Sequence, residues 1–230
     1  MTDPVPSDRP HRNFYGRRKG KHLKDSARQR VAEDLGRVRL GGVDWDENPD
    51  RAPLALPERE VWLEVGFGGG EHLAHQARAN PGALILGAEP YLDGVAKLLT
   101  LLDGVENVRI HPGDARDLMD VLPEGAVSKA FLLYPDPWPK ARHHRRRFVT
   151  PEHLGPLHRA MRPGAELRVA TDIGDYVRQT LVEVPRAGFE WMAEGPGDWR
   201  TPWPDWIRTR YEAKAVREGR PQHYLTFRRL

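Results

Sequence analysis

The sequence predicts an α/β fold: a mostly parallel, doubly wound sheet with an antiparallel strand at one edge. Three observations carry this. From residue 61 onward, short apolar runs of strand length alternate with stretches of helical periodicity. The first run passes directly into a glycine-rich turn, Gly66-Phe67-Gly68-Gly69-Gly70. Carboxylates stand within or just after successive runs, and a parallel sheet gathers such positions on one rim.

The elements follow in order. Residues 1–11 lack periodicity and are expected to be disordered. Residues 12–30 concentrate lysine and arginine around Phe14 and Tyr15, so residues 1–30 read as a basic arm able to tighten on RNA, and residues 31–230 as the catalytic domain. Val31 to Pro57 is expected to be irregular. Val61–Val65 is the first strand, with a helix from Glu71 to Ala79 after the glycine turn. Ala83–Ala88 is a second strand that delivers Glu89 at its tip. Tyr91–Leu102 is a helix with Val95, Leu98, Leu99 and Leu102 on one face. Val108–Ile110 is a third strand, with Asp114 beyond it, and Leu118–Leu122 a short helix. Lys129–Tyr134 is the fourth strand and Pro151–Met161 a helix with Thr150 as N-cap. Glu166–Ala170 leads to Thr171-Asp172, and Asp175–Arg186 is helical. Phe189–Ala193 and Tyr224–Arg229 are expected to close one edge.

At 230 residues the chain suits one domain with extensions. A charged fraction of 30% beside 39% hydrophobic residues is that of a soluble globular protein. Net charge is only +3, but the cations are clustered, and phosphate backbones respond to local positive density. The absence of cysteine excludes disulfides, thiol nucleophiles and cysteine-ligated zinc. No stretch has the length of a membrane span and the polar N-terminus is not a secretory signal, so a cytoplasmic protein is expected. A monomer and a homodimer both remain open.

The rim carboxylates and the glycine turn together suggest a nucleotide-like cofactor. Glycines allow a ligand to approach the backbone and tolerate positive φ. A dinucleotide fingerprint would need glycine at position 71, where Glu71 stands, and a carboxylate opening the helix opposes a pyrophosphate. A cationic ligand is easier to place beside Glu64, Gly66 and Gly68. Glu89 suits two ribose hydroxyls, and Asp114 an adenine amino group. Adenosine with a positive, phosphate-free tail is S-adenosylmethionine.

The stretch from Tyr134 to Arg147, YPDPWPKARHHRRR, follows the fourth strand. Prolines around Asp136 and Trp138 stop the strand and stiffen a loop that presents one carboxylate and one indole. Lys140, Arg142, Arg145, Arg146 and Arg147 follow, with His143 and His144 among them. A carboxylate and an aromatic beside a block of cations fit a nucleobase and its phosphates. Trp138 either stacks on a base or serves the core. The histidines have no acidic partner at metal-ligand spacing, so phosphate-facing roles are expected and no metal.

LEVGFGGG at 63–70, Gly87-Ala88-Glu89, Gly113-Asp114-Ala115, PDPWPKARHHRRR at 135–147, Thr171-Asp172 with Tyr176, and Thr209-Arg210-Tyr211-Glu212 resemble the bacterial tRNA (guanine-N7)-methyltransferases. The Phe14–Lys21 segment is similar to that family's N-terminal segment. The resemblance runs from about residue 12 to the C-terminus. The proline-framed loop with its basic tail is specific; the glycine turn is generic. Pro90 stands where the family usually has an aliphatic residue, and Lys214 supplies the basic residue expected after Glu212. The resemblance implies a Rossmann-like class I S-adenosylmethionine-dependent methyltransferase acting on N7 of a variable-loop guanine of tRNA (m7G46). It implies that Glu64, Gly66, Gly68, Glu89, Asp114 and Asp136 hold the cofactor and that Asp136, standing between cofactor and base, is also the catalytic residue. Lys140, Asp172, Thr209, Arg210, Tyr211 and Glu212 would contact the substrate, and Arg142, His143, His144, Arg145, Arg146 and Arg147 the RNA.

The chemistry agrees. Guanine N7 carries a free lone pair, so methyl transfer needs no obligatory base and in-line positioning supplies most of the acceleration. Asp136 or Asp172 could accept from N1–H and the N2 amino group. An RNA methyltransferase acting on another base or an exocyclic amine is the nearest alternative. A nicotinamide-dependent oxidoreductase and a non-catalytic RNA-binding module are further ones. The first is disfavoured by the missing third glycine, the second by the Glu64–Glu89–Asp114 set.

Overall fold

The computed structural model describes residues 12–16 and 23–230. The disorder expected for residues 1–11, and residues 17–22 of the basic arm, lie outside the described residues. Seven strands form one sheet: β1 (Val61–Val65), β2 (Leu84–Ala88), β3 (Val108–His111), β4 (Val127–Leu133), β5 (Met161–Thr171), β6 (Phe189–Trp191) and β7 (His223–Arg229). The helices are α1 (Asp25–Val38), α2 (Glu71–Ala79), α3 (Leu92–Leu101), α4 (Ala115–Val121), α5 (Pro151–Ala160), α6 (Gly174–Arg186), α7 (Gly197–Arg200) and α8 (Arg210–Arg217), and a 3₁₀ helix spans Ala141–Arg146. Among the described residues no helix is long and apolar enough to cross a membrane.

Strand order is β3-β2-β1-β4-β5-β7-β6. Strands β1 to β5 pair in parallel, while β7 runs antiparallel to β5 and to β6. The chain winds outward from β1 to β3, then crosses back to β4 on the other side of β1. Strand order therefore reverses between β1 and β4, the place where open parallel sheets bind ligands.

Strands covered on both faces read as continuous apolar runs, and alternate residues serve different layers. Leu63 and Val65, Ala130 and Leu132, and Leu167 and Val169 pack with Leu118, Leu154, Leu157 and Val184 of α4, α5 and α6. On the opposite face Ile85 and Ile110 meet Leu73, Leu98 and Leu102 beneath α2 and α3. Toward β5 and β7 an aromatic layer covers that second face: Phe131, Leu133 and Tyr224 lie under Trp203 and Trp206.

Several local expectations differ, among them the start of β5, which begins at Met161 and not at Glu166, so that α5 stops one residue short of its expected end. The segment read as irregular after Val31 contains most of α1, whose Val31, Leu35 and Val38 pack into the second core. That helix begins at Asp25, so the expected division between residues 30 and 31 falls inside it. Its density of charged residues hid a spacing of four and three between the apolar ones. Helix α4 starts at Ala115, earlier than expected, because the Asp114 carboxylate accepts from Arg116 N and caps it. Thr150 precedes α5 without capping it through its side chain; its hydroxyl lies 3.1 Å from His153 Nδ1 instead.

The start of α3 is pressed against the glycine turn. A Cβ on Gly94 would sit 2.2 Å from the Gly68 carbonyl oxygen and 3.3 Å from Glu89 Cγ. Gly94→Ala should therefore lower stability by about 1–3 kcal/mol. The check is the urea midpoint at constant m-value; an unshifted midpoint would show that the turn yields freely.

Candidate active site

A cavity of ≈ 1350 Å³ opens over the carboxyl ends of β1 to β4. Gly66 and Gly68, with φ of 70° and 57°, let the chain leave β1 sharply and line the cavity with backbone. Glu89 enters from the tip of β2, 8% exposed. One of its oxygens accepts from Gly68 N at 2.8 Å and the other from Tyr91 N at 2.9 Å. Burial raises its pKa; the two N–H donors oppose this, and the nearby Asp136 adds to it. Each carboxylate oxygen still has a lone pair to offer the cavity. Two acceptors side by side suit a vicinal diol.

Asp114 lines the next stretch of wall, with Arg116 Nη2 on its Oδ2 at 2.6 Å. Burial pushes its pKa up, but the Arg116 side chain and N–H outweigh that and hold the carboxyl below its usual range. Glu64 is placed differently from expectation. It does not line the cavity; its carboxylate is 2% exposed and lies 2.7 Å from His72 Nδ1. The cause is strand parity: Glu64 alternates with Leu63 and Val65, so its side chain falls on the second face, where it braces the first turn of α2.

The Asp136 loop forms the opposite wall. Tyr134 and Trp138 adopt φ of 49° and 41°, uncommon for bulky side chains, on either side of Asp136. Asp136 itself is exposed and lines the cavity. Trp138 is neither a core residue nor an open platform. Its ring meets Tyr15 edge-on at 6.4 Å and His143 at 5.9 Å. The Arg146 guanidinium lies over Tyr15 at 4.8 Å and over Trp138 at 5.0 Å.

The basic run divides. Lys140, Arg142 and Arg145 are exposed, and His143, His144 and Arg146 half-buried. Arg147, expected on the RNA, has no exposed side-chain surface. It donates to Pro137 O at 2.8 Å, to Gln179 Oε1 at 2.8 Å and to Asp175 Oδ2 at 2.8 Å. The 3₁₀ period of three turns it inward toward α6 and away from the exposed cations.

The residues expected on the substrate are not all brought together. Tyr211 lines the cavity, its ring 3.1 Å from where a Cβ on Gly68 would be. Arg210 packs over that ring at 4.9 Å and donates to its hydroxyl at 3.2 Å. Thr209 caps α8, accepting from Glu212 N at 3.2 Å. Glu212 is 4% exposed and turned away from the cavity. It accepts from Trp206 Nε1 at 2.7 Å and from the Tyr224 hydroxyl at 2.5 Å, since the helical turn after the cap points it into the aromatic layer. Asp172 is paired with the Arg220 guanidinium beyond the cavity wall, and Lys140 also lies outside it.

Sequence reasoning missed one wall. Arg12 pairs with Asp120 at 2.7 Å, and Asn13 O accepts from Arg116 Nη2 at 3.0 Å, so residues 12–16 run along the cavity beside α4. It also missed Phe148 and His153, stacked with ring centroids 5.2 Å apart. No spacing signal marks either. Among the described residues there is no group of three His, Cys, Asp or Glu able to hold a metal ion.

Residues 58–225 match a family model described as "Putative methyltransferase". A tRNA (guanine-N(7)-)-methyltransferase of Jannaschia sp. is 68% identical over 100% of this chain and 99% of its own length. One of Rhizobium johnstonii is 42% identical with 100% of both chains covered. The chain belongs to the tRNA (guanine-N7)-methyltransferase family. Among solved structures, the 16S rRNA methyltransferase KamB shares the fold at TM-score 0.55 and 20% identity, over 74% of this chain and 88% of that one.

Within this family member, Glu212 fastens α8 to the sheet, and α8 presents Tyr211 to the glycine turn. Glu212→Ala strands two buried donors and should lower stability by about 1–3 kcal/mol. Chemical denaturation reads this directly; an unchanged midpoint would return Glu212 to a purely substrate-facing role.

Proposed function

We propose that this chain transfers the methyl group of S-adenosylmethionine to N7 of a guanine in tRNA, at position 46 of the variable loop. One observation carries the reading: the Asp136 loop opens onto the same cavity as the buried Glu89 and the Gly66–Gly68 turn. Full-length likeness to relatives named for this reaction supports it. Bound there, S-adenosylmethionine supplies a sulfonium-activated methyl group.

The chain's own residues do the rest by holding and orienting. Glu89 offers one acceptor to each ribose hydroxyl. Gly66 and Gly68 admit the ligand against backbone, and Asp114, fixed by Arg116, faces the adenine end. Asp136 accepts from the N1–H and N2 amino edge of guanine, which leaves N7 turned toward the methyl group. Asp172 is less suited to that task, because Arg220 already occupies it outside the cavity. Nitrogen N7 needs no proton removed, so the histidines near the loop are not required as bases. Positioning of the two reactants then accounts for most of the rate. Tyr211 stands at the mouth, and Lys140, Arg142, His143, His144, Arg145 and Arg146 form the basic face that meets the tRNA backbone. Every residue named comes from one chain. Such an enzyme works where tRNA is, in the cytoplasm.

The test is transfer of labelled methyl to unmodified tRNA, with the labelled atom mapped. Label on N7 of a variable-loop guanine is expected, with Asp136→Ala folded but slower by about 100-fold or more. Label on an exocyclic amine or another base would keep the fold and cofactor and discard the substrate. Near-native turnover by Asp136→Ala would remove that residue from the site.

The pH dependence follows from Glu89. Its folded pKa is raised by burial, so its contribution to stability is present below the ordinary glutamate pKa and is lost as pH rises through the folded value. Ligand binding has the opposite sign, because accepting from both hydroxyls needs the ionised form. Affinity for S-adenosylmethionine should therefore fall on acidification, beginning at a higher pH than an exposed glutamate would impose. Calorimetric titration across mildly acidic pH checks this. Glu89→Gln should weaken binding by about 10- to 100-fold and flatten the pH dependence; an unchanged profile would place the diol elsewhere.

A further inference from the structure

We propose that Arg147 is a positioning residue for methyl transfer: it clasps the Asp136 loop to α6, and its part in turnover runs through loop geometry, not through RNA contact. The inference rests on the reading of Asp136 as the carboxylate that orients guanine.

The Asp136 loop has few backbone donors and a strained course. Pro135, Pro137 and Pro139 donate no backbone hydrogen bond. Tyr134 and Trp138 sit in left-handed backbone, which for such residues persists only where the surroundings impose it. The entry is fixed by the sheet, Tyr134 N donating to Ala170 O at 2.7 Å. The exit is fixed by Arg147, whose Nε donates to Pro137 O at 2.8 Å and whose Nη2 approaches Trp138 O at 3.4 Å. The same guanidinium donates to Gln179 Oε1 and Asp175 Oδ2 on α6, each at 2.8 Å, and lies over the Tyr176 ring at 5.2 Å. Asp136 thus lies between a sheet anchor and an anchor made by a single side chain, with His143 and Arg146 against Trp138 beside it. A planar fork with five donors serves acceptors on two elements at once; an ammonium of similar length does not reproduce that geometry. Burial of a full charge in this place is matched by Asp175, whose carboxyl Arg178 and Arg147 hold down to about 2.

The test is a double-mutant cycle under single-turnover conditions, with Arg147→Lys measured alone and in an Asp136→Asn background. Arg147→Lys is expected to slow methyl transfer by about 10- to 100-fold, with S-adenosylmethionine affinity and the salt slope of tRNA binding unchanged. In the Asp136→Asn background the same substitution should cost less than about twofold, because both changes act through one geometry. Arg145→Ala, by contrast, should flatten the salt slope. A flattened slope for Arg147→Lys would make it an RNA ligand, and an equal loss in both backgrounds would make its role general stability; either overturns the proposal. If Arg147→Lys does not fold, Asp175→Asn loosens the same clasp from a partly exposed position and should show a smaller loss with the same pattern. An active Asp136→Asn would overturn the Asp136 reading and this proposal together. A native rate for Arg147→Lys beside an inactive Asp136→Asn would overturn the clasp alone.

Discussion

The Glu89 carboxylate is the interaction on which the site depends. It draws Gly68 N of the β1 loop and Tyr91 N of the β2 loop onto one group, beside the point where strand order reverses. That bridge joins the two loops on the cavity side, next to the seat of α3 against the Gly68 carbonyl. Burial makes the bridge costly for an ionised group. Two backbone donors offset part of that cost, and hydroxyls from a bound ligand would offset more. The same carboxylate is therefore a brace between two loops with acceptor capacity left toward the cavity.

Several other polar residues of the motifs brace the fold. Glu64 holds α2 through His72, Thr209 starts α8, and Glu212 ties α8 to the aromatic layer through Trp206 and Tyr224. Each is buried and hydrogen-bonded within the fold. The groups that face the cavity stand on shorter structures raised above these anchors: the Gly66–Gly68 turn, the Asp136 loop and the first turn of α8. Buried hydrogen-bonded groups hold a site still far better than exposed ones, because leaving them unpaired is expensive.

The parallel part of the sheet was legible in the sequence because its strands carry apolar runs covered on both faces, bounded by glycine, proline or a rim carboxylate. The rim itself was legible as well: Gly66, Gly68, Glu89, Asp114 and Asp136 all reach one cavity. Three things were not. Helix α1 hid its apolar stripe among charges. The direction of Glu64 depends on strand parity relative to the opening, which a motif does not state. The cavity wall made by residues 12–16 rests on ion pairs with α4, more than 100 residues away in the chain, and no periodicity carries such a contact.

The basic run shows how one segment can serve fold and substrate at once. In a 3₁₀ helix residues three apart share a face. His144 and Arg147 thereby both meet Asp175 on α6, at 3.1 and 2.8 Å. His143 and Arg146 both meet Trp138 of the catalytic loop. Arg142 and Arg145 are left to the solvent and to any phosphate that approaches. An α-helical period would have mixed these faces; a period of three sorts a string that reads as uniformly cationic into an anchor, a loop support and an exposed cationic face. The loop bearing Asp136 is then tied to that face within two turns of backbone.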